Sequence, residues 1–198
     1  YIIINCWITN LENIISNKPC LVQTSQGFSV SYKNKFLYSK YNPEKTIIKT
    51  IQDTDIQEET IIFCFSPVLH YGLDLLLSKL PKKCLVIGIE LDSTLYSFTL
   101  ENNNFIQNNK YKNFFYINQK QALQLPYLLS EKNYLFNTDY LYKPYEYRRI
   151  INFQFSAGVQ FFQPQYEDLH NICTQSIMTY WSNRITLVKF GRKYSSNF

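Results

Sequence analysis

The chain has 198 residues and a mass of 23.6 kDa, the size of one domain or of one domain with a helical extension. Hydrophobic residues at 45% supply a core and exclude a disordered tail, while charged residues, at 18%, fall below the usual quarter. The net charge is +5, but the lysines are scattered and the densest basic cluster is the pair Arg148-Arg149, so the concentrated stripe of a nucleic-acid binder is missing.

The opening, Ile2 to Ile15, is apolar with weak helical spacing and stops at Pro19. Two β-type runs follow, Leu21 to Thr24 and Phe28 to Tyr32, broken by Gln26-Gly27; a third, Lys35 to Tyr38, comes after Lys33-Asn34. Alternation with Gly and Asn at the breaks predicts a meander or a pair of hairpins. Asn42-Pro43-Glu44 has the chemistry of a helix start: Asn accepts free N–H groups, Pro suits the first turn and Glu complements the dipole.

Thr60 to Phe65 is continuous, β-branched and aromatic, as in a strand buried on both faces. Leu73, Leu76, Leu77 and Leu80 then recur at helical spacing up to Pro81. Cys84 to Ile89 is a second buried strand, ending at Glu90, and Asp92 is placed to cap a helix carrying Leu95, Tyr96 and Thr99, broken at Asn102-Asn103-Asn104. Phe114 to Ile117 is a third strand, and Asn118 opens another helical stretch through Leu123. The alternation over 41–120 predicts a parallel sheet with covering helices. From Tyr145 onward the period changes: Tyr147, Ile150, Ile151, Phe155, Val159 and Phe162, then Tyr166, Leu169, Cys173, Ile177 and Trp181, predict two long amphipathic helices separated near Pro164.

The expected class is therefore α/β: a Rossmann-like parallel sheet with covering helices, preceded by a small β-hairpin region and followed by two long amphipathic helices. The expected divisions are an N-terminal helix and hairpin region over 1–40, the α/β domain over 41–140 and a helical segment over 141–198. No run approaches the roughly 18 apolar residues of a membrane span, and no basic stretch with a small-residue cleavage site opens the chain; a cytoplasmic protein without a membrane partner is expected. Cys6, Cys20, Cys64, Cys84 and Cys173 are odd in number and include no C-x-x-C, which favours buried reduced thiols over a disulfide framework. The chain begins at Tyr1 and its sole methionine is Met178, so a piece of a longer protein is expected.

Four residues are candidates for ligand contact: Ser66, His70, Glu90 and Asp92. Ser66 and His70 lie in the turn after the first buried strand, where open α/β sheets bind ligands. Glu90 and Asp92 follow the second strand, where an acidic side chain often accepts from a ribose hydroxyl. A nucleotide would also need glycines after the first strand, and this turn runs Ser66-Pro67-Val68-Leu69-His70-Tyr71 before Gly72. Asp92 as a helix cap and Glu90 as a solvated loop charge is the favoured assignment. No G-x-S-x-G elbow, Walker loop or H-E-x-x-H occurs, and the two histidines, His70 and His170, have no metal-ligand neighbours at the required spacing, so neither catalytic residues nor a metal is expected. Tyr140 to Arg149 could form an aromatic-basic surface, although a loop leading into a packed helix is the commoner explanation.

In order along the chain, four stretches resemble the N-terminal part of the motility-associated factor family, flagellin glycosyltransferases that carry the domain of unknown function numbered 115. Ser39-Lys40-Tyr41-Asn42-Pro43-Glu44 is similar to the family's S-x-Y-[DN]-P segment after a hairpin. Ile61 to Leu77 resembles its strand, glycine turn and following helix, and Val86 to Asp92 its V-I-E-P-D strand end. Asn183 to Arg192, with Asn197, resembles the segment leading into its catalytic domain. The family turn has the form G-x-G-x-G-Y-H. Aligned from Tyr71, its glycines fall on Ser66, Val68 and His70, its histidine on Gly72 and its post-glutamate proline on Leu91. The family's transferase domain opens with a G-P-S-type turn, which this sequence does not contain.

The resemblance implies an accessory domain that acts as scaffold or in acceptor docking, without a cofactor of its own. Its partners would be a downstream catalytic domain in cis and flagellin as acceptor of the parent protein, whose donor would be a CMP-activated sugar. Two alternatives stand beside it: a degenerate methyltransferase-like domain that binds a nucleotide near Glu90, and the accessory domain of a pterin pyrophosphokinase-like protein.

Overall fold

The computed structural model describes residues 18–102, 112–130 and 147–194, with side chains in the last helix as far as residue 182. The expected N-terminal helix over Ile2 to Ile15, the aromatic loop over 140–146 and the helix break at 103–104 lie outside the described residues, as do the side chains of 183–192 and Asn197.

Strands β1 (Cys20–Thr24), β2 (Gly27–Tyr32) and β3 (Lys35–Phe36) form a small antiparallel meander. Lys33 and Asn34 between β2 and β3 both adopt left-handed φ, +47° and +60°, the turn geometry whose twist suits a two-residue hairpin loop. Helix α1 (Lys45–Asp53) begins where Asn42-Pro43 predicts, and the Lys45 amide donates to Asn42 Oδ1 at 3.0 Å.

The main sheet contains β4 (Thr60–Phe65), β5 (Leu85–Glu90), β6 (Phe114–Asn118) and β7 (Arg149–Gln154) in the order β6-β5-β4-β7, all parallel. Between the strands lie α2 (Leu73–Lys79), α3 (Ser93–Asn102), and the short helices α4 (Gln119–Ala122) and α5 (Leu125–Ser130). Every residue of β4 and β5 is buried. Ile61, Phe63, Phe65, Leu85, Ile87 and Ile89 pack on one side with Leu125, Leu129 and the long C-terminal helix. Ile62, Cys64 and Val86 pack on the other side with Ile47, Ile51, Leu73 and Leu76 of α1 and α2. Each such side chain removed from water contributes about 1.5–3 kcal/mol, which is why these strands are apolar at every position instead of alternating.

The C-terminal region departs from the expected pair of helices. Its first half is β7, the fourth parallel strand, followed by a 3-10 turn (Ala157–Phe161); only its second half is helical, as α6 (Gln163–Tyr194), 32 residues long with Pro164 in its first turn. Residues 150–155 read Ile-Ile-Asn-Phe-Gln-Phe, and there the exposed Asn152 and Gln154 alternate with the buried Phe153 and Phe155. Strand period and β propensity prevail over the helical spacing of Tyr147, Ile150 and Ile151, because pairing with β4 gives the run a ladder and sets Phe153 and Phe155 into the core. The parallel sheet thus extends past residue 140.

In α6, Tyr166, Leu169, Cys173 and Ile177 form the buried stripe. Trp181 packs against the edge of the same core; its Nε1 donates to the Tyr147 carbonyl at 2.7 Å and the Arg148 guanidinium lies 4.8 Å from its ring. No helix among the described residues is long and apolar enough to cross a membrane.

Candidate functional site

In the order β6-β5-β4-β7 the chain moves outward from β4 to β6 and then crosses back to the other side of β4. The carboxyl ends of β4 and β7 therefore flank the topological switch point, the usual ligand crevice of an open parallel sheet. Here that crevice is filled by the chain itself.

Ser66 follows β4 with a φ of +51°, and its amide donates to Ile89 O at 2.9 Å. Its hydroxyl is wholly buried and donates to Glu90 Oε2 at 2.8 Å. Ser156, which caps the 3-10 turn after β7, donates to Ser66 Oγ at 3.0 Å and accepts from the Gly158 amide at 3.1 Å. Glu90 Oε1 accepts from the Asp92 amide at 3.0 Å and from the Tyr166 hydroxyl at 3.3 Å. Tyr166 Oη in turn accepts from the Leu91 amide at 3.1 Å. One connected network thus joins the ends of β4, β5 and β7 to the start of α6.

The packing leaves no room beside it. A Cβ on Gly158 would collide with Ser66 Oγ and come within 3.3 Å of Leu95 Cδ1. The antiparallel meander closes the crevice from outside: the Ala157 amide donates to Leu37 O at 2.8 Å, and the Leu69 amide donates to Tyr38 Oη at 2.9 Å. Val30, Tyr32, Leu37 and Tyr38 share a cluster with Val68 of the turn and Leu95 of α3.

Glu90 is only 1% exposed, contrary to the expectation of a solvated loop charge. Burial raises its carboxyl from the ordinary 4.5 to about 7, with the Asp92 charge adding to the rise and the bonds from the Asp92 amide, Ser66 and Tyr166 opposing it. Asp92 is also buried but carries its own counter-charge. Burial would raise its carboxyl; Lys33 Nζ at 2.9 Å, the Leu95 amide and the Tyr32 hydroxyl outweigh that and hold it below the usual range. Its Oδ1 also accepts from the Thr94 amide, so Asp92 caps α3 as its position in the sequence predicts.

His70 stands apart from this network. It is buried with a φ of +56°, and its ring meets Tyr116 edge-on at 5.4 Å. It borders an open cleft of about 390 Å³ between α1 and α2, with Glu44, Ile48, Tyr71 and Asp74. Of the four candidates, then, Ser66, Glu90 and Asp92 are brought together and His70 is not. Ser156, Tyr166, Tyr38 and Lys33 belong to the site without any local signal in the sequence; only the topology brings residues so far apart in the chain onto Glu90 and Asp92. A carboxyl near 7 has the right acidity for proton transfer at neutral pH, but at 1% exposure Glu90 is out of reach of a substrate while the turn is in place. Among the described residues no group of three or more His, Cys, Asp or Glu side chains could hold a metal ion.

No family model matches the chain, and no solved structure matches it. A protein of Treponema pallidum (strain Nichols), described only as uncharacterized, is 25% identical over 185 residues, which is 93% of this chain and 30% of that protein. The chain thus spans under a third of the length of the relative it matches.

Proposed function

We propose that this chain is the N-terminal accessory domain of a motility-associated, flagellin-glycosylating sugar transferase of the cytoplasm, and that it supplies scaffold or acceptor docking instead of catalysis. The observation that carries the non-catalytic part is the closed switch-point crevice: Ser66, Glu90, Ser156 and Gly158 occupy the space in which a nucleotide would lie. The family likeness draws support from the backbone. Ser66 and His70, two of the three positions where the family pattern has glycine, both hold left-handed φ, a conformation that favours glycine. The 30% coverage of the Treponema protein is consistent with a domain in a larger chain. In this reading the whole protein transfers a CMP-activated sugar to flagellin, and its catalytic domain lies outside the present chain.

The test is a binding and turnover assay on the purified chain. Titration calorimetry with CMP and with S-adenosylmethionine is expected to give no heat of binding, whereas flagellin is expected to bind without acquiring sugar from a CMP-nonulosonate. Saturable binding of S-adenosylmethionine favours the methyltransferase-like alternative. Sugar transfer by the chain alone rules out the accessory role.

A further inference from the structure

We propose that the Glu90 carboxyl is a proton-operated latch: protonated, it holds the 3-10 turn Ala157–Phe161 down over the carboxyl end of the sheet, and on losing its proton to solvent it releases that turn. The inference concerns the network alone and stands whether or not the chain serves a sugar transferase.

The charge inventory comes first. Glu90 and Asp92 are two buried carboxyls two residues apart, and among the described residues the ammonium group that pairs with either is Lys33, which takes Asp92. Lys33 Nζ lies 2.9 Å from Asp92 Oδ2 and is committed there. The groups that face Glu90 from the surrounding elements are Ser66 after β4, Asp92 before α3 and Tyr166 on α6, with Tyr38 of the N-terminal region and Tyr116 of β6 in electrostatic reach. All these tyrosines are held neutral by burial. An ionised Glu90 is therefore a buried anion beside a second anion, without a cation of its own among the described residues.

The protonated form suits the same geometry. On protonation the Glu90 hydroxyl would donate to Ser66 Oγ and Ser66 to Ser156 Oγ, reversing the two bonds seen here, and the displaced Ser156 hydrogen would turn to the neighbouring Tyr38 hydroxyl. Glu90 Oε2, Ser66 Oγ and Ser156 Oγ then each keep a partner, and Glu90 carries no charge beside the Asp92–Lys33 pair. Ionisation leaves the carboxylate with three donors but shut away from water, and burial outweighs those bonds.

Hydration of an ionised Glu90 requires some element to move. β4 and β5 are central strands bonded on both sides, and α6 is anchored by Leu169, Cys173 and Ile177. The remaining cover is the meander, packed through Val30, Tyr32, Leu37 and Tyr38, and the five-residue 3-10 turn, whose first residues are tied down by the Ala157–Leu37 and Ser156–Ser66 bonds. Short 3-10 segments have poorer hydrogen-bond geometry than the elements beside them, so local opening falls here first.

The sign follows from linkage. Between the ordinary 4.5 and about 7 the closed form binds more protons than the open form, so rising pH favours opening. Opening should increase roughly seventyfold between about pH 5 and pH 8. The experiment is amide hydrogen exchange by NMR on the 198-residue chain, corrected for intrinsic rates. In the wild type, protection of Ala157 and Gly158 is expected to fall by that factor while staying below that of the Phe63 and Cys64 amides in β4, which exchange only when the whole chain unfolds. In Glu90→Gln, which mimics the protonated acid, protection at the turn is expected to be constant with pH. Parallel pH profiles in wild type and variant, or turn amides that exchange no faster than those of β4, overturn the latch. Carbon-13 titration of the Glu90 carboxyl in the unmodified chain decides the matter if the variant does not fold: a midpoint near 7 sustains the proposal and one between 4 and 5 refutes it.

Discussion

Gly158 and Ser66 meet at a contact in the crevice that tolerates no extra atom. A methyl group on Gly158 would overlap Ser66 Oγ, which is itself fixed by Glu90 and Ser156. Overpacking of this kind costs about 1–3 kcal/mol, so Gly158→Ala should destabilise the chain by that amount in urea denaturation. Ser66→Gly removes the obstructing oxygen and suits the left-handed φ of +51° at that position, at the expense of the bond to Glu90. In the double variant the two changes should couple, the second substitution costing at least about 1 kcal/mol less than in isolation. Simple additivity would show that the close approach is not what holds the turn. Neither partner announces the other in the sequence, since ninety residues separate Ser66 from Ser156. By contrast, Asp92 as a cap is a local event, decided by amides two and three residues on, and is legible from its position alone.

At the level of elements, β4, β5 and β6 could be read from sequence because runs such as Thr60 to Phe65 are apolar at consecutive positions, which an amphipathic helix does not require. β7 could not, because Tyr147, Ile150, Ile151 and Phe155 satisfy helical spacing as well as they satisfy a strand. The deciding fact, an open side of β4 at hydrogen-bonding distance, is tertiary. Substitution distinguishes the two assignments: Phe153 lies in the core beside Cys64, and its neighbour Asn152 is exposed. Phe153→Ala should cost about 3–5 kcal/mol, and Asn152→Ala should stay within about 0.5 kcal/mol, both by urea denaturation. Trp181 belongs to the same argument. It could offer an apolar face to another domain, but its indole N–H is bonded to Tyr147 O and its half-buried ring packs against the edge of the core. Trp181→Phe should therefore lower the stability of the chain itself by about 1 kcal/mol through the lost bond; an unchanged denaturation midpoint would return the indole to the role of an external docking group.

For the whole molecule, Glu90 and Asp92 set opposite limbs of the dependence of stability on pH. Glu90 is raised on folding, so its contribution is complete below 4.5 and is lost as pH climbs through about 7. Asp92 is lowered, so its contribution is complete above its ordinary 3.8 and is lost as pH falls through its folded value. These two groups place the optimum on the acid side, at about pH 4–5. Toward pH 8 the Glu90 limb should remove about 2–3 kcal/mol, a fall of roughly 5–10 °C in thermal midpoint for a chain of this size. Glu90→Gln should abolish that alkaline limb and leave the acid one. Lys33→Met should weaken the acid limb, but by under about 1 kcal/mol, because the lysine side chain is 39% exposed and its charge is screened by water. Scanning calorimetry from pH 4 to 8 on the three proteins separates these effects. A wild-type midpoint that rises steadily to pH 8 would mean that the cover over Glu90 admits water freely, and that the crevice is open to ligands after all.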